Sequence, residues 1–282
     1  MKADDLTIQD ALQWARQVLS DSESAALDAR VLLCHSLDVS PVYLHTWPEK
    51  PLQENQWVAY QALIEKRSKG VPVAHLTGRR DFWSLTLKVN NLTLIPRPET
   101  ELLVETALAL FDHSPINVLD LGTGTGAIAL ALASERPGWQ VIGVDFESQI
   151  VELAEQNAQL NQLTNVRFLQ SHWFNNVPKQ TFSLILSNPP YVEPDSPFLQ
   201  QGDVRFEPLS ALTADENGLA DIRQIISQAS LYLVDSGFLL LEHGHSQGEA
   251  VRQLLEQAGF AQVDTLKDLA GLDRLSMGQW HV

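Results

Sequence analysis

Four consecutive residues, Asn188-Pro189-Pro190-Tyr191, combine hydrogen-bond acceptors with an aromatic ring. They follow the apolar run Phe182–Ser187, which predicts a buried parallel strand. The asparagine would then lie at the carboxyl end of a strand, where open α/β sheets bind their ligands. Because the prolines have no backbone N–H, the Asn188 Oδ1 and the Pro189 carbonyl remain as acceptors, and Tyr191 can lie against a flat group. The segment predicts a site for a planar NH2 group, with an ordinary proline turn as the alternative.

A glycine-rich loop lies earlier in the chain, between a predicted strand ending at Leu121 and a helix starting at Ala127. The loop consists of Gly122, Thr123, Gly124, Thr125 and Gly126. Glycines allow a tight turn and a close approach to a ligand, and the helix N-terminus offers unpaired N–H groups. The next strand ends at Asp145, where a carboxylate can accept both hydroxyls of a ribose. The loop also fits the G-x-G-x-x-A pattern, so alone it does not distinguish NAD from S-adenosylmethionine.

Two further observations favour S-adenosylmethionine. Asp120 lies beside the loop, where a carboxylate disfavours a pyrophosphate but suits a sulfonium and an ammonium group. The segment from Asn188 to Tyr191 falls at the end of the fourth strand in chain order, where a methyl acceptor must lie, and a hydride-transfer enzyme has no evident use for it. Together the motifs predict a methyltransferase that acts on an amino group.

The chain also resembles a known family, the protein-(glutamine-N5) methyltransferases of peptide-chain release factors, called PrmC or HemK. The resemblance runs from about residue 5 to the C-terminus and is carried by the stretches 94–101 (LIPRPETE), 118–126 (VLDLGTGTG), 187–191 (SNPPY) and 202–208 (GDVRFEP). It implies that the cofactor is contacted by Gly122 to Gly126, Asp145, Trp173 and Asn188. It further implies that Asn188 to Tyr191 hold the target glutamine of a Gly-Gly-Gln motif.

Two positions depart from the family pattern. Glu99 stands where an aspartate is expected, which is a mild change. His172 stands where an acid is expected, directly before Trp173, and the family places this position near the adenine. The adenine contact at residue 172 is therefore open, while Trp173 keeps its predicted place beside the adenine.

Charge bears on the choice of substrate. The 282-residue chain carries 19 Lys and Arg against 35 Asp and Glu, a net charge of −16. Nucleic-acid-binding proteins grip phosphates with basic patches, so this balance favours a protein partner over stable binding of nucleic acid. An N6-adenine or other nucleic-acid amine methyltransferase with the same pocket is the second hypothesis. A cofactor-binding regulatory protein without catalysis is a third, and it would leave the acceptor motif idle.

The remaining features of the sequence predict a cytoplasmic protein, which we expect to be a monomer. The N-terminal sequence lacks a signal peptide, and no apolar run approaches the roughly 20 residues that span a bilayer. The single Cys34 fits a reducing compartment. No metal is expected, because His243-Gly244-His245 has no third Cys or His ligand nearby in the sequence.

The pattern of apolar residues predicts an α/β protein with two domains. Residues 1–75 show helical periodicity and are predicted to form a small bundle. Asp4 or Thr7 can cap its first helix. The bundle either recognises the substrate or only stabilises the enzyme. Residues 76–98 are predicted to be a linker containing a β-hairpin with its turn at Asn90-Asn91. Residues 99–282 alternate between strands and helices, which predicts a doubly wound, Rossmann-like S-adenosylmethionine methyltransferase sheet with antiparallel C-terminal strands.

The predicted chemistry follows from the target group. An amide nitrogen is a poor nucleophile because its lone pair is delocalised. Binding both amide hydrogens to the Asn188 Oδ1 and the Pro189 carbonyl would raise the electron density on nitrogen as it reacts. Tyr191 would fix the plane of the amide. Asn188, Pro189 and Tyr191 are therefore the predicted catalytic residues of a direct displacement, in which the proton leaves after transfer.

Overall fold

The computed structural model describes residues 6–282, which form two compact units. The first unit contains the residues up to Gly78 together with the later segment Gln200–Phe206, and the second contains Arg79–Leu199 and Glu207–Val282. Among the helices of residues 6–282, none combines the length and apolar character required to cross a bilayer. The roles predicted for the two domains stay predictions.

The first unit is helical, as predicted. Its core consists mainly of aliphatic side chains and the buried Tyr60. Thr7 caps the first helix, because its Oγ1 accepts the Asp10 N–H at 3.2 Å; Asp4, the other predicted cap, lies outside the described residues. The helices are α1 (Ile8–Val18), α2 (Ala25–Leu37), α3 (Pro41–Thr46), α4 (Glu54–Ser68) and α5 (Val73–Thr77).

Arg67 attaches the later segment to the helical unit. Its Nε lies 2.7 Å from the Asp28 Oδ2, and its Nη1 lies 3.0 Å from the Asp203 Oδ1. The same guanidinium also donates to the Val71 carbonyl at 3.2 Å. A planar guanidinium can satisfy several acceptors at once, so one arginine joins two helices and the segment Gln200–Phe206.

The second unit contains a seven-stranded sheet in the order β5-β4-β3-β6-β7-β9-β8. Strands β3 to β7 pair in parallel, whereas β9 is antiparallel to both of its neighbours, which confirms the predicted fold class. These strands are β3 (Asn117–Leu121), β4 (Gln140–Asp145), β5 (Val166–Gln170), β6 (Phe182–Ser187), β7 (Leu233–Glu242), β8 (Ala261–Lys267) and β9 (Asp273–Gln279).

Helices cover both faces of this sheet. Val118 and Leu184 belong to one apolar cluster, and their strand neighbours Leu119 and Ile185 belong to another on the opposite face. Two buried faces explain why the central strands are continuous apolar runs. The helices are α6 (Glu101–Leu110), α7 (Ala127–Glu135), α8 (Ser148–Leu160), α9 (Asp215–Gly218), α10 (Ala220–Ala229) and α11 (Gly248–Gln257).

The hairpin was predicted in the wrong place. Strands β1 (Arg79–Phe82) and β2 (Leu85–Lys88) turn at Trp83-Ser84, and residues 92–95 form no strand. Trp83 adopts a left-handed φ of 56° because its N–H donates to the Glu101 Oε1 at 2.8 Å and its indole donates to Glu135. These tertiary contacts hold a tryptophan in a conformation that its own sequence does not favour.

One local and one tertiary contact explain why Asn90-Asn91 makes no hairpin turn. The Asn90 Oδ1 accepts the Leu92 N–H at 2.9 Å, which forms a local side-chain turn. The Asn157 side chain bonds both backbone groups of Lys88, at 2.7 and 3.0 Å, so this part of β2 pairs with a side chain.

Candidate active site

A cavity of about 330 Å³ lies where the central parallel strands end. Segments that follow β3, β4, β5 and β6 all contribute to it, at the edge where the strand order reverses between β3 and β6. A further wall comes from the segment before α6. The lining residues used below are Thr93, Arg97, Thr100, Gly122, Thr123, Gly124, Thr125, Asp145, Phe146, Ile150, His172, Trp173, Asn188, Pro190 and Asp221.

The glycine loop turns by left-handed backbone conformations. Gly122 and Gly124 have φ of 69° and 54°, values that residues with a Cβ adopt at a cost of roughly 1–2 kcal/mol. A Cβ on Gly122 would also lie 3.3 Å from the Trp173 ring, so the loop leaves little space on that side. The Gly124 N–H donates to the Asp145 Oδ2 at 2.9 Å. The loop is therefore shaped by its backbone and held by the carboxylate of the next strand.

Asp145 lies at the end of β4 and lines the cavity, as the sequence predicts for a ribose-binding acid. Its Oδ1 accepts the Phe146 N–H at 2.8 Å. Burial raises the pKa of Asp145, and the N–H groups of Gly124, Phe146 and Glu147 oppose that rise. These bonds fix the carboxylate at the cavity.

The Asp120 carboxylate does not line the cavity, contrary to the prediction that its charge would face a bound sulfonium and ammonium group. It is wholly buried, lies outside the cavity lining, and its Oδ2 accepts the Thr123 hydroxyl at 2.6 Å. Burial raises the pKa of Asp120 to about 7, although the bond from Thr123 opposes the rise. Asp120 therefore stabilises the glycine loop through the hydrogen bond from Thr123.

The next wall contains His172 and Trp173. Trp173 is buried with a left-handed φ of 48°. His172 is exposed, and its ring meets Phe146 edge-on with centroids 5.7 Å apart. Asp221 lies nearby, and burial raises its pKa while the Trp173 indole and His172 oppose the rise. Both positions raised by the family resemblance, 172 and 173, thus line the cavity.

The acceptor turn begins directly after β6. The Asn188 Nδ2 donates to the Thr100 Oγ1 at 3.2 Å, and within residues 6–282 no donor reaches the Asn188 Oδ1. The Tyr191 hydroxyl donates to the Glu242 Oε1 at 3.1 Å. The Gln247 Nε2 donates to the Tyr191 carbonyl at 3.0 Å, which fixes the backbone. The turn is therefore ordered by side-chain hydrogen bonds from three other segments.

The structure brings together most of the predicted site residues. The cavity is lined by Gly122 to Thr125, Asp145, Trp173, Asn188 and Pro190, whereas Gly126, Pro189 and Tyr191 lie outside that lining. Gly126 caps α7, Pro189 is buried, and the half-buried Tyr191 directs its hydroxyl to Glu242. Tyr191 is thus held by its hydroxyl, a contact that the sequence did not predict.

Sequence analysis also missed an ion pair beside the cavity. The Arg97 Nη2 lies 2.7 Å from the Oε2 of Glu207, whose side chain is fully buried, and the Glu207 Oε1 accepts the Ile95 N–H at 3.4 Å. Arg97 lines the cavity. Arg97 and Glu207 both lie next to prolines in the stretches that carry the family resemblance. The sequence alone does not show that the two side chains form a pair.

No group of three or more His, Cys, Asp or Glu side chains suited to a metal ion occurs within the described part of the chain. His243 follows β7 and is buried, with its Nδ1 2.9 Å from the Gly244 carbonyl and its Nε2 2.8 Å from the Ser276 hydroxyl. Both ring nitrogens are engaged, so His243 has a structural role at a strand end.

The cavity residues fit S-adenosylmethionine. Asp145 offers carboxylate oxygens to ribose hydroxyls, and Phe146 and Ile150 supply apolar surface for a base. The Thr93 hydroxyl is buried at the cavity and has no hydrogen-bond partner among the described residues, so it is available to a ligand. Glycine-loop N–H groups at the start of α7 suit an anionic carboxylate.

Comparisons with known proteins agree with this geometry. Residues 10–78 match the family of PrmC N-terminal domains, and residues 112–269 match a methyltransferase domain family. The chain is 51% identical over 279 residues to the release factor glutamine methyltransferase of Shewanella oneidensis, covering 99% of this chain and 98% of that one. It belongs to the release factor glutamine methyltransferase family.

Two more proteins widen the comparison. The Escherichia coli member of this family is 49% identical over 271 residues, covering 95% of this chain and 98% of that one. A T. thermophilus 16S rRNA methyltransferase, solved in complex with AdoMet and guanosine, superposes with a TM-score of 0.52. The two proteins are 20% identical in sequence, and the superposition covers 71% of this chain and 49% of that one, which shows a common fold. The chain is therefore an enzyme with a methyltransferase fold.

Proposed function

We propose that this enzyme transfers a methyl group from S-adenosylmethionine to the side-chain amide nitrogen (N5) of the glutamine in the Gly-Gly-Gln motif of peptide-chain release factors. The observation that carries this proposal is the state of Asn188. Its NH2 group is already bonded to Thr100, and its Oδ1 accepts nothing within the described residues. An oxygen acceptor held at the cavity suits a substrate that presents an NH2 group.

Cofactor binding is assigned to the glycine loop and the strand that follows it. Gly122 to Gly126 would approach the cofactor with backbone N–H groups, Asp145 would accept the ribose hydroxyls, and Trp173 would lie beside the adenine. S-adenosylmethionine supplies an activated methyl group on a positively charged sulfur. The fold relative from T. thermophilus was solved with this molecule, which supports the choice.

The chain's own residues act on the target amide. The Asn188 Oδ1 and the Pro189 carbonyl accept its two hydrogens, which raises the electron density on nitrogen as positive charge develops there. The pair also restricts rotation of the amide, and Tyr191, fixed at both its hydroxyl and its carbonyl, stiffens the turn. Two oxygen acceptors favour an NH2 group over a carbonyl, which gives chemical selectivity for nitrogen.

The helical unit is proposed to recognise the protein substrate. A cavity of about 600 Å³ in this unit is lined by the exposed Arg16 and Arg30 together with the apolar Leu12 and Leu44. Two arginines beside apolar side chains suit an acidic segment of a protein partner. A simple truncation at Gly78 would remove the partners of Gln200–Phe206, so point variants test this role better.

Charge reversal at this surface gives the test. The double variant Arg16→Glu/Arg30→Glu should raise the KM for release factor while the cofactor Kd stays the same. Arg167→Glu, a single charge reversal in the exposed part of β5, is the control and should alter neither. An unchanged KM in the double variant would remove substrate docking from this surface of the helical unit.

The proposed activity itself is tested by methyl transfer with labelled S-adenosylmethionine. Purified release factor should become labelled, and mass spectrometry of its digest should place one methyl group on the glutamine of the Gly-Gly-Gln motif. Duplex DNA and RNA, offered separately, should remain unlabelled because the chain carries a net charge of −16. Labelled nucleic acid with unlabelled release factor would favour an amine methyltransferase of nucleic acid instead.

A further inference from the structure

Behind the acceptor turn, Asn188 bonds Thr100, and Tyr191 bonds a buried carboxyl group, that of Glu242. We infer that Glu242 is a positioning residue, which sets the orientation of the Asn188 amide through Thr100 and Tyr191. The inference deepens the proposed function and rests on it, because orientation matters only if the Asn188 oxygen accepts substrate hydrogens. None of the motifs that identify the family includes Glu242.

Strand register places Glu242 next to the acceptor turn. Ser187, the last residue of β6, pairs with Leu241 of β7, so Asn188 and Glu242 are the next residues along two adjacent parallel strands. Glu242 is 2% exposed, its Oε1 accepts the Tyr191 hydroxyl at 3.1 Å, and its Oε2 has no partner among the described residues. A carboxyl group thus lies directly behind the site.

No cation neutralises this carboxyl group by direct contact within residues 6–282. Arg274 on β9 faces it, but the Arg274 Nη2 lies 3.1 Å from the Asp268 Oδ2 and its Nη1 donates to the His243 carbonyl at 3.4 Å. The like charge of Glu99 also acts on Glu242. A buried carboxyl group without an ion pair lowers stability, so its presence calls for a functional reason.

The single hydrogen of the Thr100 hydroxyl provides that reason. The Thr100 hydroxyl acts on the Glu242 carboxyl group, so an ionised Glu242 attracts its hydrogen and leaves the Thr100 oxygen as an acceptor. The neighbouring amide must then turn its NH2 group toward Thr100, as the 3.2 Å bond shows, which leaves the Asn188 Oδ1 for the substrate. A neutral carboxyl group no longer imposes this order, and a reversed amide would present NH2 to an NH2 substrate.

The charge state of Glu242 changes near neutral pH. Burial raises the pKa of Glu242 to about 7, while the hydroxyls of Thr100 and Tyr191 and the charge of Arg274 oppose the rise and Glu99 adds to it. Because the ionised form orients Asn188, kcat should increase with pH through about 7. The stability contribution has the opposite sign, since an acid with a raised folded pKa destabilises the fold as pH rises from 4.5 to about 7.

Kinetics with saturating cofactor test this inference. Glu242→Gln should lower kcat at pH 8 roughly 10-fold, the size found when supporting groups behind functional ligands are removed, and should abolish the increase of kcat near pH 7. Thr100→Val should do the same, Thr100→Ser should restore the rate, and the double variant should be no slower than either single variant. Glu193→Gln, an exposed carboxyl group near the turn, is the matched control.

A second measurement needs no substrate. The Asn188 side-chain NH2 signal, observed by 15N–1H NMR in the full-length protein, should shift with a midpoint near pH 7 in the unchanged enzyme and stay constant in Glu242→Gln. A flat NMR titration of the unchanged protein, or a Glu242→Gln enzyme with the normal pH profile and kcat, overturns the inference. Failure of the unchanged enzyme to label release factor instead counts against the proposed function, and the NMR titration then still decides the role of Glu242.

Discussion

The glycine loop after β3 and the acceptor turn after β6 lie on adjacent strands and line one cavity, yet they are built in different ways. The loop depends on backbone conformation, because Gly122 and Gly124 have positive φ. The turn depends on side chains, because Thr100, Glu242 and Gln247 hold it. We therefore expect substitutions in the loop to affect cofactor binding, and substitutions in the turn to affect turnover.

Both regions also contain a buried carboxyl group with a pKa raised to about 7, Asp120 under the loop and Glu242 behind the turn. Asp120 holds a hydroxyl of its own loop, three residues away in sequence. Glu242 reaches a tyrosine 51 residues away. The first is a local support and the second a tertiary one.

The largest effect is expected for stability at Asp120. Its pKa rises from 3.8 in the unfolded chain to about 7 in the fold, so the folded state binds more protons and stability falls as pH rises between these values. The full linkage is roughly 4 kcal/mol at 1.36 kcal/mol per pKa unit. Asp120→Asn should therefore melt above the unchanged protein at pH 8 and show no gain at pH 4, as thermal melts at both pH values would reveal. A gain of equal size at pH 4 would contradict the assignment.

Asn188→Ala should have the next largest effect, on turnover. It removes the oxygen that accepts the substrate hydrogens, and by analogy with loss of one oxyanion-hole donor the rate should fall roughly 10²–10³-fold, about 2.7–4 kcal/mol. Single-turnover methylation with saturating cofactor measures this, with thermal melts as the control for folding. Asn188→Asp keeps an oxygen and should retain more activity than alanine. Near-normal turnover by a folded alanine variant would contradict the proposed role of Asn188.

Asp145→Ala should weaken cofactor binding and leave the acceptor turn intact. It removes the partner of the Gly124 N–H and the proposed partner of the ribose hydroxyls, a loss on the order of 1–3 kcal/mol. Calorimetry with S-adenosylmethionine would measure the change in Kd, and NAD should bind little to either protein. If the variant binds as tightly as the unchanged enzyme, the ribose assignment is wrong.

Gly124→Ala should give the smallest effect of the series. The nearest side-chain atom to a new Cβ is 4.0 Å away, in Thr93, so space is available and the cost is the left-handed φ of 54°. That cost is roughly 1–2 kcal/mol, and it should appear as weaker cofactor binding with unchanged single-turnover rate at saturation. A reduced rate at saturating cofactor would show that the loop also affects turnover, which would contradict this prediction.

Much of the fold was predictable from local sequence patterns. The buried strands β3, β4 and β6 are short apolar runs that lie where the sequence predicts them. The hairpin was not predictable, because Trp83 turns left-handed only through its bonds to Glu101 and Glu135. The attachment of Gln200–Phe206 to the helical unit likewise depends on Arg67, 136 residues earlier than Asp203.

Two motifs could be predicted from local sequence: a glycine loop followed by an acid, and an Asn-Pro-Pro-Tyr turn at a strand end. These features are local, since strand period, glycine φ and proline geometry act over a few residues. The groups that support them could be found only from the folded chain. Asp120 faces the loop and not the cavity, Tyr191 bonds Glu242, and Thr100 bonds Asn188. Such pairings depend on strand order and register, because those place residues far apart in the chain side by side.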